Sequence, residues 1–98
     1  MSVTHRHERN GIMTFFTWMM RNHKGDDTPA GDLATDMHRD KESFPRNGQG
    51  KFQGWHDLIL RYLERQHACR ECIDTFEECW KEYELCERKR LNYSLRGL

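Results

Sequence analysis

Four cysteines, six histidines and a run of aspartates are the residues of this 98-residue chain with chemistry to offer. The cysteines fall at Cys69, Cys72, Cys79 and Cys86. A structural zinc ion needs four ligands within about 2–2.3 Å of one point. Read as one helix, the segment sets Cys79 and Cys86 about 10 Å apart along its axis, so the two do not share an ion within one chain. Cys69 and Cys72 are neighbours on a helix face, half a site that His56 or His67 would have to complete. At about 100° per residue the other three thiols lie near 300°, 280° and 260° from Cys69, on the shoulder of the apolar face. Cysteine behaves there as a small hydrophobe. Packing is the expected role, with no metal and no cofactor. Disulfides are not expected in a reducing compartment.

The histidines are His5, His7, His23, His38, His56 and His67. His67 precedes Cys69 by two residues, a spacing that points the pair to different helix faces, so no thiol–imidazole couple forms. No serine or cysteine has an identifiable base beside it, and the chain is expected not to be an enzyme. Asp32, Asp36 and Asp40 recur every four residues and share one helical face. Metal binding or proton transfer by such carboxylates needs a pocket and supporting ligands. Two readings stay open: a solvated acidic face, or a docking surface for a basic partner. The chain's own Arg88-Lys89-Arg90 end, in a neighbouring copy, is one such partner.

A candidate basic patch comprises Arg46, Lys51, Arg61, Arg65, Arg88, Lys89 and Arg90, with Arg61 and Arg65 one helical turn apart. Clustered cations of this kind displace counterions from phosphates. The net charge is nevertheless zero, so this is not a basic protein. Charge comes in blocks: Lys and Arg less Asp and Glu leave +3 over residues 1–25, −4 over 26–44, +3 over 45–70, −6 over 71–87 and +4 over 88–98. Alternating blocks arise from solvated helix faces or from complementary patches between copies.

The elements that must position these groups are helices. Met13 to His23 carries Phe15, Phe16, Trp18, Met19 and Met20 at helical spacing, and Gly25 stops it. Thr28-Pro29 opens a second helix: threonine caps the free N–H groups, and proline suits the first position because its missing N–H has no partner to lose. Asp32 favours the positive end of that helix dipole, and Leu33, Ala34 and Met37 form its apolar stripe, fading near Asp40. Phe44, held extended by Pro45, drops its ring into the core. A third helix runs from Phe52 to Gln66 on Phe52, Trp55, Leu58, Ile59, Tyr62 and Leu63. A fourth runs from His67 to Arg90 on Ile73, Phe76, Trp80 and Tyr83. The expected core is Phe16, Trp18, Leu33, Phe44, Trp55, Ile59, Tyr62, Phe76 and Trp80. No run approaches the ~18–20 apolar residues of a membrane span. The first ten residues lack the apolar stretch of a secretory signal. A cytoplasmic protein with no membrane partner is the expectation.

These anchors, in this order, resemble the YozE-like family of small bacterial proteins, which has a sterile-alpha-motif-like (SAM-like) helical fold. The resemblance spans residues 13–86. It rests on Thr14-Phe15-Phe16-Thr17-Trp18-Met19, on Asp27-Thr28-Pro29 with Gly31-Asp32-Leu33-Ala34, Asp36 and Asp40, and on Ser43-Phe44-Pro45. It continues through Trp55, Leu58 and Tyr62-Leu63 to Phe76-Glu77-Glu78-Cys79-Trp80-Lys81-Glu82-Tyr83. The chain departs from the pattern in its basic end, its four cysteines and its N-terminal extension. The resemblance implies an all-α, compact SAM-like bundle of four to five short helices with a long C-terminal helix, and no catalytic residues. The domain is placed at 12–91, with a disordered tail over 1–11 and a flexible tail over 92–98. The expected function is non-catalytic protein–protein binding, including self-association through oppositely charged faces. The alternative is a small nucleic-acid-binding accessory protein using Arg61, Arg65 and the basic C-terminal end.

Overall fold

A computed structural model describes residues 13–46 and 52–96 of the protein, with side chains through Leu91. The expected 1–11 tail, Lys51 and the side chains of the expected 92–98 tail lie outside the described residues. Among the described residues four helices follow one another: α1 (Phe15–Asn22), α2 (Pro29–Arg39), α3 (Phe52–Arg65) and α4 (Arg70–Arg96).

Each start has a local cause. Thr14 is extended and its Oγ1 accepts the Thr17 N–H at 3.1 Å, so α1 begins two residues after Met13. Thr28 does the same for α2, accepting the Gly31 N–H at 3.0 Å, with Pro29 in the first turn. Gly31 is also where α2 meets the preceding loop. A Cβ there would stand 1.9 Å from the Asp26 carbonyl oxygen, so only glycine fits.

The boundary between α3 and α4 departs from the expected one. His67 takes a left-handed φ of 58°. Its N–H donates to the Glu64 carbonyl at 3.0 Å, and the Ala68 N–H donates to the Leu63 carbonyl at 3.0 Å. This pair of bonds is a Schellman stop, with Ala68 packed against the core beside Leu63. The fourth helix therefore begins at Arg70 rather than His67. It continues to Arg96, six residues beyond the expected Arg90, and its 27 residues span roughly 40 Å.

All nine residues expected in the core are buried, joined by Phe15, Met19, Met37, Phe52, Leu63 and Tyr83. Phe15 sits at the centre of the aromatic cluster, with ring centroids 5.5 Å from Phe76, 5.2 Å from Trp80 and 5.4 Å from Tyr83. Edge-on and tilted pairs of this kind suit the ring quadrupole. Leu58, expected on the apolar stripe of α3, is instead 38% exposed. It lies about 100° round the helix from Ile59, at the edge of the buried face.

One buried charge ties the ends of the domain together. Glu87, 2% exposed, accepts the Met13 N–H at 3.1 Å and an Arg90 N–H at 2.8 Å. The Tyr83 hydroxyl donates to the Met13 carbonyl. Both backbone groups of Met13 are thus held by α4, which satisfies polar atoms that burial would otherwise strand.

Candidate functional site

The seam between α2 and the start of α4 opens into a groove. Its larger lobe, about 350 Å³, has Leu33, Met37, Phe44, Leu63 and Ala68 on its floor and Asp36, Arg39 and Asp40 on its rim. A second lobe of about 230 Å³ adds Pro29, Asp32, Glu71 and Thr75. The lobes share Leu33, Asp36, Cys69 and Cys72, so they form one continuous depression.

Helical periodicity brings the three aspartates here. On α2 the residues Leu33, Ala34 and Met37 turn inward while Asp32, Asp36 and Asp40 stay exposed along the adjacent edge. Asp36 pairs with Arg39 at 3.1 Å across exposed surface, a contact worth little in stability. Asp40 follows the last turn of α2 and accepts the Tyr62 hydroxyl at 3.2 Å, which anchors α3 to this rim. Burial of the Tyr62 hydroxyl and the Asp40 charge beside it push the phenol upward, so it stays protonated and donates. The rim thus carries Asp32, Asp36, Asp40 and Glu71 against the single guanidinium of Arg39. Glu71 had no part in the sequence reading. It joins the rim because the α3–α4 turn sets the first residues of α4 beside α2.

The basic residues do not gather in the same way. Arg46 lies 3.7 Å over the Phe16 ring and donates to the Phe44 carbonyl at 3.2 Å. Arg88 reaches Glu84 at 2.7 Å and lies 4.9 Å over Phe52, the first residue of α3. Arg90 bonds the buried Glu87. Arg65 is the last residue of α3, roughly 20 Å along the helix from Phe52, so Arg61 and Arg65 occupy the opposite end from Arg88. Lys89 is exposed on α4, and Lys51 lies outside the described residues.

The cysteines divide. Cys79 is buried, Cys72 is half-buried, and Cys69 and Cys86 are exposed; all four thiols are free. The expectation that all four line the shoulder of the core is corrected at Cys69 and Cys86. Cys69 precedes α4, so the helical wheel does not apply to it. Cys86 lies on nearly the same face as Cys79 but two turns further on, past the elements that cover Cys79. Burial, with Glu82 and Glu78 nearby, pushes the Cys79 thiol up to about 11, leaving it protonated and unreactive. Burial, Cys69 and Asp36 also push the Cys72 thiol up.

His56 is the most constrained of the described histidines. Its Nδ1 lies 3.0 Å from Asp57 and its Nε2 lies 2.8 Å from Glu77, and the ring stacks on Phe76 at 5.3 Å. Burial alone would lower its pKa, but the two carboxylate bonds outweigh it and raise the imidazole. Hydrogen bonding to His56 in turn lowers the Asp57 carboxyl. His56 therefore bridges α3 to α4 and is not directed at the cysteines. Among the described residues, no three His, Cys, Asp or Glu side chains converge to hold a metal ion. No helix there is long and apolar enough to cross a membrane.

Comparison with curated proteins and with solved structures gives no match. The family model described as "YozE SAM-like fold" matches residues 14–85, from the cap of α1 well into α4. That span takes in the aromatic first helix, the capped second helix, the Phe44 anchor and the closing aromatic run, and the chain belongs to the YozE SAM-like family.

Proposed function

We propose that this domain is a non-catalytic interaction module and that the α2–α4 groove is its binding surface for a basic, amphipathic protein segment. One observation carries the reading: an apolar floor of Leu33, Met37, Phe44 and Leu63 lies beneath four carboxylates and one guanidinium. An apolar floor gives affinity, and a rim of one charge sign selects the partner and speeds encounter. The basic side chains support the nucleic-acid reading poorly, because Arg46, Arg88 and Arg90 contact other groups of the chain and Arg61 and Arg65 stand at the opposite end of α3 from Arg88.

Synthetic amphipathic helical peptides of equal hydrophobicity and opposite charge test this. The basic peptide should bind, weaken as salt is raised, and shift the amide resonances of Leu33, Met37, Leu63 and Cys72. Asp36→Lys with Glu71→Lys should abolish the preference while leaving the melting temperature near that of the wild type. Equal binding of acidic and basic peptides, or shifts confined to other faces, would overturn the reading.

A further inference from the structure

One of the four thiols stands where neither packing nor helix capping accounts for it. The Cys69 carbonyl accepts the Ile73 N–H at 3.0 Å, the first hydrogen bond of α4. Cys69 is therefore the capping residue of that helix, and Cys72 is the third residue inside it. Serine, threonine, aspartate and asparagine cap helices well, and cysteine is not among them. Cys69 is also exposed, so it fills no space in the core.

The geometry of a helix start brings Cys69 and Cys72 together. Cα atoms three residues apart on a helix lie roughly 5 Å apart. A disulfide needs a separation of about 4.4–6.8 Å. Side chains of the capping residue and the third residue also meet over the first turn, as they do in a capping box. The chain enters this turn from a fixed point, because the Schellman bonds close α3 and Ala68 packs on the core. Both thiols line both lobes of the groove, so they open onto the same space. Cys79 is buried and lies a further two turns along α4, roughly 10 Å from Cys72, and Cys86 is as far again. Of the four cysteines, only Cys69 and Cys72 can pair within one folded chain.

We propose that Cys69 and Cys72 form a reversible dithiol–disulfide couple whose oxidants are low-molecular-weight disulfides. The Cys69 thiolate attacks one sulfur of the oxidant. The oxidant's S–S bond breaks, and its other sulfur leaves and takes up a proton. Cys72 then gives its proton to solvent and attacks the Cys69 sulfur of the mixed disulfide. The remaining oxidant sulfur leaves and is protonated in turn. Two electrons pass from the protein thiols to the oxidant, and two protons end on the two thiols released. Exposure gives Cys69 the first step. Burial, with Cys69 and Asp36 nearby, pushes the Cys72 thiol up, so it stays protonated until the mixed disulfide stands beside it. The couple needs no occupant in the groove.

Cys86→Ser removes the exposed thiol outside the pair and is the parent for the test. Equilibrated with glutathione disulfide in the absence of air, it should lose two thiols together and carry no glutathione by intact mass. Excess reduced glutathione should restore both thiols. Tryptic mapping of the oxidised protein should join residues 66–70 to residues 71–81. Cys72→Ser in the same parent should instead retain one glutathione on Cys69. Cys69→Ser should react about tenfold more slowly or less, because the thiols left are half-buried or buried. Oxidation should shift the amide resonances of Leu33 and Asp36 across the groove and leave the helical circular dichroism unchanged. A stable glutathione adduct on Cys69 with Cys72 present would overturn the couple. So would a Cys69 that stays free at oxidant concentrations that modify Cys86 in the wild type. Loss of helical signal on oxidation would show that the pair closes only when the start of α4 unravels, and that too would sink the proposal.

Discussion

His56 shows how much one side chain can settle. Its two ring nitrogens face carboxylates on two helices while its ring stacks on Phe76, an arrangement that favours the charged form. Its folded pKa is raised above the ordinary 6.5. The stabilisation is therefore complete below about pH 6.5 and is lost as pH rises through the raised folded value. Urea unfolding should show a midpoint that falls between mildly acidic and mildly alkaline pH. His56→Gln should flatten that fall, and identical slopes for the two proteins would remove the imidazolium from the account. Nothing in the sequence announces this bridge. Asp57 is adjacent, but Glu77 lies 21 residues away and reaches His56 only once α3 packs on α4. Phe44 and Trp80 were legible because size and spacing alone place an aromatic inside.

The helices themselves were readable from their stripes, and the second from its cap as well, since Thr28 and Pro29 act through their immediate neighbours; the Thr14 cap that starts the first helix two residues late went unread. The α3–α4 boundary was not, because a left-handed histidine replaces the glycine that normally marks such a stop. Nor was the role of Gly31, since the carbonyl that excludes a side chain there belongs to a loop folded back against α2. Two identical substitutions expose the difference. Gly31→Ala should cost about 3 kcal/mol, because the loop or the helix must move to admit the methyl group. Gly54→Ala in α3, where nothing lies within 4 Å, should be neutral or stabilise by up to about 1 kcal/mol through helix propensity alone. Chemical denaturation of both proteins checks the pair, and a mild Gly31→Ala would show that the α2 junction is looser than its geometry. The groove was half legible: the four-residue rhythm of Asp32, Asp36 and Asp40 marks a shared face. Its apolar floor and the fourth carboxylate of Glu71 depend on tertiary placement.

At the scale of the whole molecule, one long helix carries both the acidic stretch 71–87 and the basic residues that follow it from Arg88. The N-terminal turn of α4 contributes Glu71 to the groove, and its later turns carry Leu85 and Lys89. The clasp at Met13 belongs to this scale as well. Glu87 and Tyr83 hold a backbone position 74 and 70 residues earlier in the chain, with everything between them forming the loop that the contact closes. Closing so long a loop carries an entropic cost that nearby contacts do not share. The clasp should therefore form late, after the aromatic cluster has condensed, and be absent from the folding transition state. Glu87→Gln keeps the shape and removes the charge. In stopped-flow experiments it should speed unfolding and leave the folding rate almost unchanged, whereas a matching loss in the folding rate would place the clasp in the nucleus. The residence time of the native state, more than the ease of reaching it, is then what this single buried carboxylate governs.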